Sequence, residues 1–111
     1  MDSILNSIKK LLGIDELNTH FDTDVMIHIN SVFVDLKQLG VGPADGFRIT
    51  GPYETWSEFT SDKIDIESVK TYMYLRVRLL FDPPTNSFLV EAMTKQADKF
   101  EWRLNVAAET I

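Results

Sequence analysis

The sequence of 111 residues has the length of one domain with a single core. Apolar residues make up 44% and charged residues 25%, which are globular values and exclude a disordered or low-complexity chain. The lack of cysteine excludes a disulfide scaffold, a thiolate zinc site and a cysteine nucleophile, and it fits a reducing cytoplasmic origin. The net charge is −6 and the basic residues are scattered, which argues against binding to nucleic acid backbones or anionic membranes.

The first predicted helix covers residues 2–12. Asp2 or Ser3 can cap its start, and Gly13 can supply the left-handed residue that ends it. A helix this short is marginal alone, so we expect it to pack on the rest of the domain. Its amphipathic pattern differs from the long apolar core of a signal peptide, and no run in the chain approaches the roughly 20 apolar residues of a membrane span. The apolar face consists of Ile4, Leu5, Ile8, Leu11 and Leu12.

A second helix is predicted from about Asp24 to Leu39, ending at Gly40. Asp22 and Thr23 precede its first turn, where side-chain oxygens satisfy free N–H groups and negative charge suits the helix dipole. Its apolar stripe has helical spacing. The stripe consists of Val25, Met26, Ile29, Val32, Phe33, Leu36 and Leu39.

Residues 40–63 change character, because four of the five glycines and a Gly51-Pro52 turn signal fall here. Residues 47–49 and 55–59 flank that turn and alternate apolar with polar. The pattern predicts a small β-hairpin or an ordered, projecting loop. Its aromatic side chains exceed what a short loop can bury in itself, so they either cap the helical core or contact a partner. They are Phe47, Tyr53, Trp56 and Phe59.

The third helix is predicted from about Asp65, its cap, to Phe81, before Pro83-Pro84. Its apolar arc covers more than half of the circumference, which indicates a central helix with neighbours on several sides. Arg76 falls inside this arc. Its head either reaches water or pairs with an acid, of which Asp35 is one candidate. The arc consists of Ile66, Val69, Tyr72, Met73, Leu75, Val77, Leu79 and Leu80.

The fourth helix is predicted from Asn86 or Ser87 to about Ala108. Trp102 and Val106 lie roughly opposite its core stripe, where a single small domain has nothing to cover them. They either form part of an interface or, for Trp102, fold back on the same domain. The core stripe consists of Leu89, Met93, Ala97, Phe100 and Leu104.

The strongest metal-like pattern combines His20, Asp22, Asp24 and His28. Two histidines and two aspartates can ligate a transition metal, but the aspartates already have a capping role and His28 lies at the edge of the helical stripe. The sequence contains no phosphate-binding loop and no serine or zinc hydrolase motif. We therefore expect no metal, no cofactor and no catalytic residues, and the chain is not expected to be an enzyme.

In order along the chain, the segments SIKKLLGI, FDTDVMIHIN, QLGVGPADGF and YMYLRVRLLFDPP resemble the head–tail connector proteins of long-tailed bacteriophages. These proteins are also called head-completion or adaptor proteins. The resemblance covers nearly the whole chain and is most specific over Gln38–Phe47 and Tyr74–Pro84. It is closest to the versions from phages and prophages of low-GC Gram-positive bacteria.

The resemblance implies a mainly α domain, residues 1–111, with four helices and a short β-hairpin or ordered loop between the second and third. It implies a virion protein, made in the host cytoplasm, that forms a ring below the portal protein, extends the DNA channel and docks the next neck or stopper protein. No membrane and no sequence-specific nucleic acid is expected as a partner. A small acidic regulator or DNA mimic that binds a host protein is the alternative. The expected interface residues are Phe47, Tyr53, Trp56, Phe59, Arg76, Trp102 and Val106.

Overall fold

Five helices make up the ordered elements of the computed structural model, which describes residues 3–60 and 64–109. Within these two ranges no β-strand occurs, and a single isolated bridge joins Ser3 to Thr55. The predicted mainly helical class is therefore confirmed. The helices are α1 (Ile4–Leu11), α2 (Asp22–Gln38), α3 (Trp56–Phe59), α4 (Ile66–Phe81) and α5 (Ser87–Glu109).

Most helix ends follow the local signals in the sequence. The start of α2 does not, because this helix begins at Asp22 with Phe21 before it and no side chain caps it, so the predicted cap at Asp22 or Thr23 is wrong. Ser3 Oγ accepts a hydrogen bond of 3.2 Å from the backbone three residues on and caps α1, whereas Asp2, the other candidate, lies outside the described residues. Asp65 caps α4 in the predicted way. Gly13 and Gly40 follow α1 and α2 with φ angles of 81° and 83°, a conformation that favours glycine.

The wide apolar arc of α4 makes it the central helix, as predicted. It packs against α5, α2 and α1, and its fully buried members include Val69, Tyr72 and Met73. Because α1 is too short to be stable alone, its buried apolar side chains account for its order. The buried core consists of Ile4, Leu5, Ile8, Val25, Ile29, Val32, Phe33, Leu36, Val41, Ile49, Trp56, Phe59, Val69, Tyr72, Met73, Val77 and Leu104.

From the end of α2 to residue 60 the chain is an ordered loop with one helical turn, α3, and not a hairpin. Its backbone pairs with other parts of the subunit, since Ile4 N–H donates to the Glu54 carbonyl at 3.1 Å and the Asn30 side chain bonds both backbone groups of Ile49. A capping box formed by Thr55 and Glu58 begins α3. The loop therefore lies against the helices and does not project as a separate hairpin.

The subunit measures 40 × 35 × 19 Å. Its shortest dimension corresponds to about two helix diameters of 10–12 Å. In so thin a body each helix has neighbours on only part of its circumference. Apolar side chains on the remaining part are therefore exposed.

Candidate interaction surfaces

Two of the four loop aromatics, Trp56 and Phe59, belong to the core of the chain, and Phe47 is partly buried against it. Trp56 is only 2% exposed, and its indole Nε1–H donates a 2.8 Å hydrogen bond to Ser7 Oγ. Phe33 of α2 packs against Phe59 and Phe47, with ring centroids 5.0 and 5.2 Å apart. The sequence left open whether these rings cap the core or contact a partner. Trp56 and Phe59 are buried in the core of the chain, and their predicted part in an interface stays a prediction.

Tyr53 is the loop aromatic that stays available, because its side chain is 79% exposed. The Glu54 carboxylate holds the turn beneath it, accepting hydrogen bonds from the Thr50 backbone N–H at 3.0–3.1 Å and from the Thr50 hydroxyl at 2.8 Å. Slight burial opposes ionisation of Glu54, but these hydrogen bonds outweigh it and lower its pKa below the usual value. A Cβ on Gly51 would lie 2.8 Å from the Tyr53 ring, so a side chain at position 51 would displace this exposed ring.

Arg76 pairs with acids, as predicted, but they lie on α5. Its guanidinium is 3.0 Å from Asp98 Oδ1 and 3.6 Å from Glu101 Oε1, and it also donates to the Tyr72 hydroxyl. Asp35, the partner suggested by the sequence, lines a shallow groove together with Arg76 but forms no ion pair with it. The helical pattern of α2 could not show that the acids closest to Arg76 lie on α5 and not on α2.

The pKa values of two groups in this cluster, Arg76 and Tyr72, are both raised. Burial disfavours the charge of Arg76, but its bonds to Tyr72 and Asp98 outweigh burial and raise its pKa further above the usual value. Burial, helped by the hydrogen bond to Glu101, raises the pKa of the Tyr72 hydroxyl against the opposing effect of Arg76. The cluster therefore keeps a cation and a protonated phenol at the α4–α5 contact.

Replacing Arg76 with methionine is expected to lower the free energy of unfolding by about 1–2 kcal/mol. The value lies between those of surface and buried ion pairs because Arg76 is mostly buried while Asp98 is exposed. Denaturant unfolding of Arg76→Met, Asp98→Asn and the double variant forms the cycle that measures the pair. If the losses in unfolding free energy of the two single variants add up to that of the double variant, the ion pair contributes nothing to stability.

The outer side of α5 carries exposed apolar side chains. Trp102 is 67% exposed, and Phe88 and Val106 lie on the same side of the helix. Trp102 therefore does not fold back on its own domain. Of the described residues of α5, only Ala97 and Leu104 are buried, although the helix is about 34 Å long at 1.5 Å per residue. Such a helix has one side that its own subunit leaves uncovered.

The outer side of α2 carries a second exposed apolar surface, which the sequence reasoning missed. Ile27 and Val34 are 60% and 57% exposed and lie two helical turns apart. A groove of about 380 Å³ runs beside Val34 and continues to the 45–48 segment. The signal was present in the sequence as a second apolar spacing on the side opposite the core stripe. The groove is lined by Asn30, Phe33, Val34, Lys37, Asp45, Gly46, Phe47 and Arg48.

The histidine and aspartate pattern does not form a cluster. In the described parts of the chain, no three His, Cys, Asp or Glu side chains are placed to hold one metal ion. The His20 ring packs edge-on against Phe21, and His28 packs against Phe81. Asp22 instead binds Lys9, with 2.8 Å between the carboxylate and the ammonium group.

Comparison with known proteins places the chain in a family. A family model described as phage connector protein matches residues 4–110. The chain therefore belongs to the phage connector protein family, which is a structural family and not a family of enzymes. No curated protein and no solved structure matches the chain. The narrower likeness to versions from phages of Gram-positive bacteria stays a prediction.

Family membership indicates a structural head–tail connector role and a virion component. Among the helices of residues 3–60 and 64–109, none has the length and apolar character needed to cross a bilayer. The exposed apolar side chains on α2, on α5 and at the turn with Tyr53 are candidates for the contacts of a connector.

Proposed function

We propose that copies of this chain form a ring beneath the phage portal protein. The ring joins the DNA-filled head to the neck and tail, continues the DNA channel and offers a docking surface to the next neck protein. The observation that carries this proposal is the match of the connector family over residues 4–110. The exposed apolar surfaces of the subunit support it, because a protein that works as an assembly needs surfaces of this kind.

A closed ring needs two different contact surfaces on each subunit, one for each neighbour. The outer sides of α2 and α5 are two such surfaces, and Trp102 is a large aromatic of the type that dominates interface energies. Tyr53 lies on the loop, outside both helices, and is available for the portal or the next neck protein. The partly exposed edge of Phe47, in the groove beside Val34, belongs to the same candidate surface.

The charge of the chain suits a channel that carries DNA. With 17 acidic and 11 basic residues, each subunit adds a net −6 to the ring. Acidic side chains repel the phosphate backbone, so DNA can slide through a lumen of this charge without being held. At low salt the negative charges of free copies repel each other and weaken their association. This repulsion decreases as the ionic strength rises, because salt screens the charges.

The test combines the purified protein with portal particles and images the product by electron microscopy. We expect a ring seated on the portal, and we expect Trp102→Ala to reduce its formation at least tenfold because a large interface aromatic commonly contributes 2 kcal/mol or more. Leu17→Ala is the matched control, since Leu17 is also an exposed apolar residue but lies in the α1–α2 connection.

Two results would contradict the proposal. Portal particles that bind none of the wild-type protein would remove the connector role. A stable complex with a host protein, without rings or portal binding, would instead favour the acidic regulator. In either experiment the variants are first checked by circular dichroism, so that loss of folding is not mistaken for loss of assembly.

A further inference from the structure

The uncovered sides of α2 and α5 each carry a row of residues spaced alternately by three and four positions. Side chains spaced in this way line one side of a helix, as they do where two helices pack together. At 100° per residue, each row lies opposite the buried side of its own helix. The α5 row consists of Phe88, Ala92, Lys95, Lys99, Trp102 and Val106. The α2 row consists of Asp24, Ile27, Ser31, Val34 and Gln38.

Every residue of both rows is exposed in the subunit. Each row combines large apolar residues with a small one, Ala92 in α5 and Ser31 in α2, and small residues let helices approach closely. Buried positions of α2 and α5 face the core, and both helices pack against α4. One subunit therefore presents two different rows on two different helices, which is what a head-to-tail contact between copies requires.

The charges of the two rows are complementary. The α5 row contains Lys95 and Lys99 and no acid, whereas the α2 row contains Asp24 and no base. Beside the α2 row, Asp35 lies on one flank and Lys37 on the other, so the complementary charges are those of the rows themselves and of Asp35. Lys95 already pairs with Glu91 of its own helix at 3.1 Å. Within residues 3–60 and 64–109, Lys99, Asp24 and Asp35 form no ion pair. A contact between two α5 rows would bring lysines together, so a copy's α2 row is the better partner.

We infer that the α5 row of one copy packs against the α2 row of the next copy. In this contact Trp102 enters the groove beside Val34, whose volume of about 380 Å³ is ample for an indole. Arg48 and Lys37 line the same groove and can stack on the ring as cations. The inference rests on the proposed function, because a ring repeats one contact between neighbouring copies.

Cysteine cross-linking tests which rows meet, because the chain has no cysteine of its own. Ser31→Cys and Lys95→Cys place one thiol near the middle of each row and keep the large apolar residues. We expect a short bis-maleimide to cross-link neither variant alone, to give dimers from a mixture, and to give ladders from a chain with both changes. Cross-linking of Lys95→Cys alone would overturn the inference in favour of an α5–α5 contact.

Charge reversal tests the complementarity separately. Lys99→Glu alone and Asp35→Lys alone should each raise the protein concentration needed for assembly about tenfold, whereas the double variant should recover most of the loss. Lys10→Glu is the matched control, since it makes the same change at an exposed site on α1. Failure of the double variant to recover, with both single variants folded and impaired, would show that these two charges do not meet.

The same reagents separate this inference from the proposed function. Cross-linking is performed in concentrated solution and on portal particles. Rings seated on portals without a cross-link between the rows would overturn the inference and leave the function standing. A cross-link from Lys95→Cys to the portal protein would assign the α5 row to the portal and likewise overturn the inference. Cross-linked copies that bind no portal would support the contact and remove the connector role.

Discussion

Replacing Trp56 with alanine is expected to lower the free energy of unfolding by about 3–5 kcal/mol, a large part of the 5–15 kcal/mol that stabilises an ordinary domain. Trp56 is buried against Phe33 and Phe59, so truncation leaves a cavity in the core. It also leaves the Ser7 hydroxyl without the indole N–H. Denaturant unfolding followed by circular dichroism measures the loss.

Trp102→Ala is the matched control for this experiment, since it removes the same side chain from an exposed position. We expect it to change stability by less than about 0.5 kcal/mol. If Trp56→Ala does not fold, Trp56→Phe keeps one aromatic ring but loses the hydrogen bond and part of the packed indole, at a smaller cost than the alanine change. Equal stability of the two alanine variants would contradict the assignment of Trp56 to the core and of Trp102 to the surface.

The long helices could be predicted because their signals are local. Apolar residues at helical spacing, the cap at Asp65 and the glycines after α1 and α2 all act within one or two turns. The position of Arg76 inside an apolar arc was likewise enough to predict an acid beside it, since an unpaired buried charge is costly. Which acid it binds depends on how α5 lies against α4, and no local pattern contains that information.

The loop shows why the remaining features were not predictable. Its alternating residues fit a hairpin, but Trp56 and Phe59 are also three apart, which is a helical spacing, and the tertiary contacts decided between the two. Asn30 bonds the backbone of Ile49 from across 19 positions, so the partner of that backbone could not be found from its neighbours. The burial of Trp56 and Phe59 also depends on residues that are distant in the sequence, so the loop sequence alone could not predict it.

The outer rows were missed for a different reason. A stripe of buried residues on α2 accounts for most of its apolar side chains, and the few that remain resemble the scattered surface residues of any soluble protein. Only the structure shows that Ile27 and Val34 lie on one uncovered line beside a groove. The exposed position of Trp102 could be predicted from the sequence, because a tryptophan opposite a core stripe is uncommon.

Lys9 gives the other large expected effect, because it is a fully buried cation, 1% exposed, at the joint between α1 and α2. Its ammonium group donates to the carbonyls of Glu16 and Asn18 at 3.1 and 2.8 Å and lies 2.8 Å from Asp22 Oδ1. One side chain thereby holds the α1–α2 connection against the first turn of α2. The position of the α2 row relative to the rest of the subunit depends on this joint.

Lys9→Met keeps the aliphatic stem and removes these three interactions, and we expect it to lower the free energy of unfolding by about 3 kcal/mol. The adjacent Lys10 is exposed, so Lys10→Met is a close control whose expected change is below about 0.5 kcal/mol. Much of the loss comes from leaving the Asp22 carboxylate without its cation, and Lys9→Met combined with Asp22→Asn should therefore recover part of it. Denaturant unfolding of the four proteins measures these differences. If Lys9→Met and Lys10→Met are equally stable, the buried ammonium group does not hold the joint, and the connection must be fixed by the apolar contacts of α1 alone.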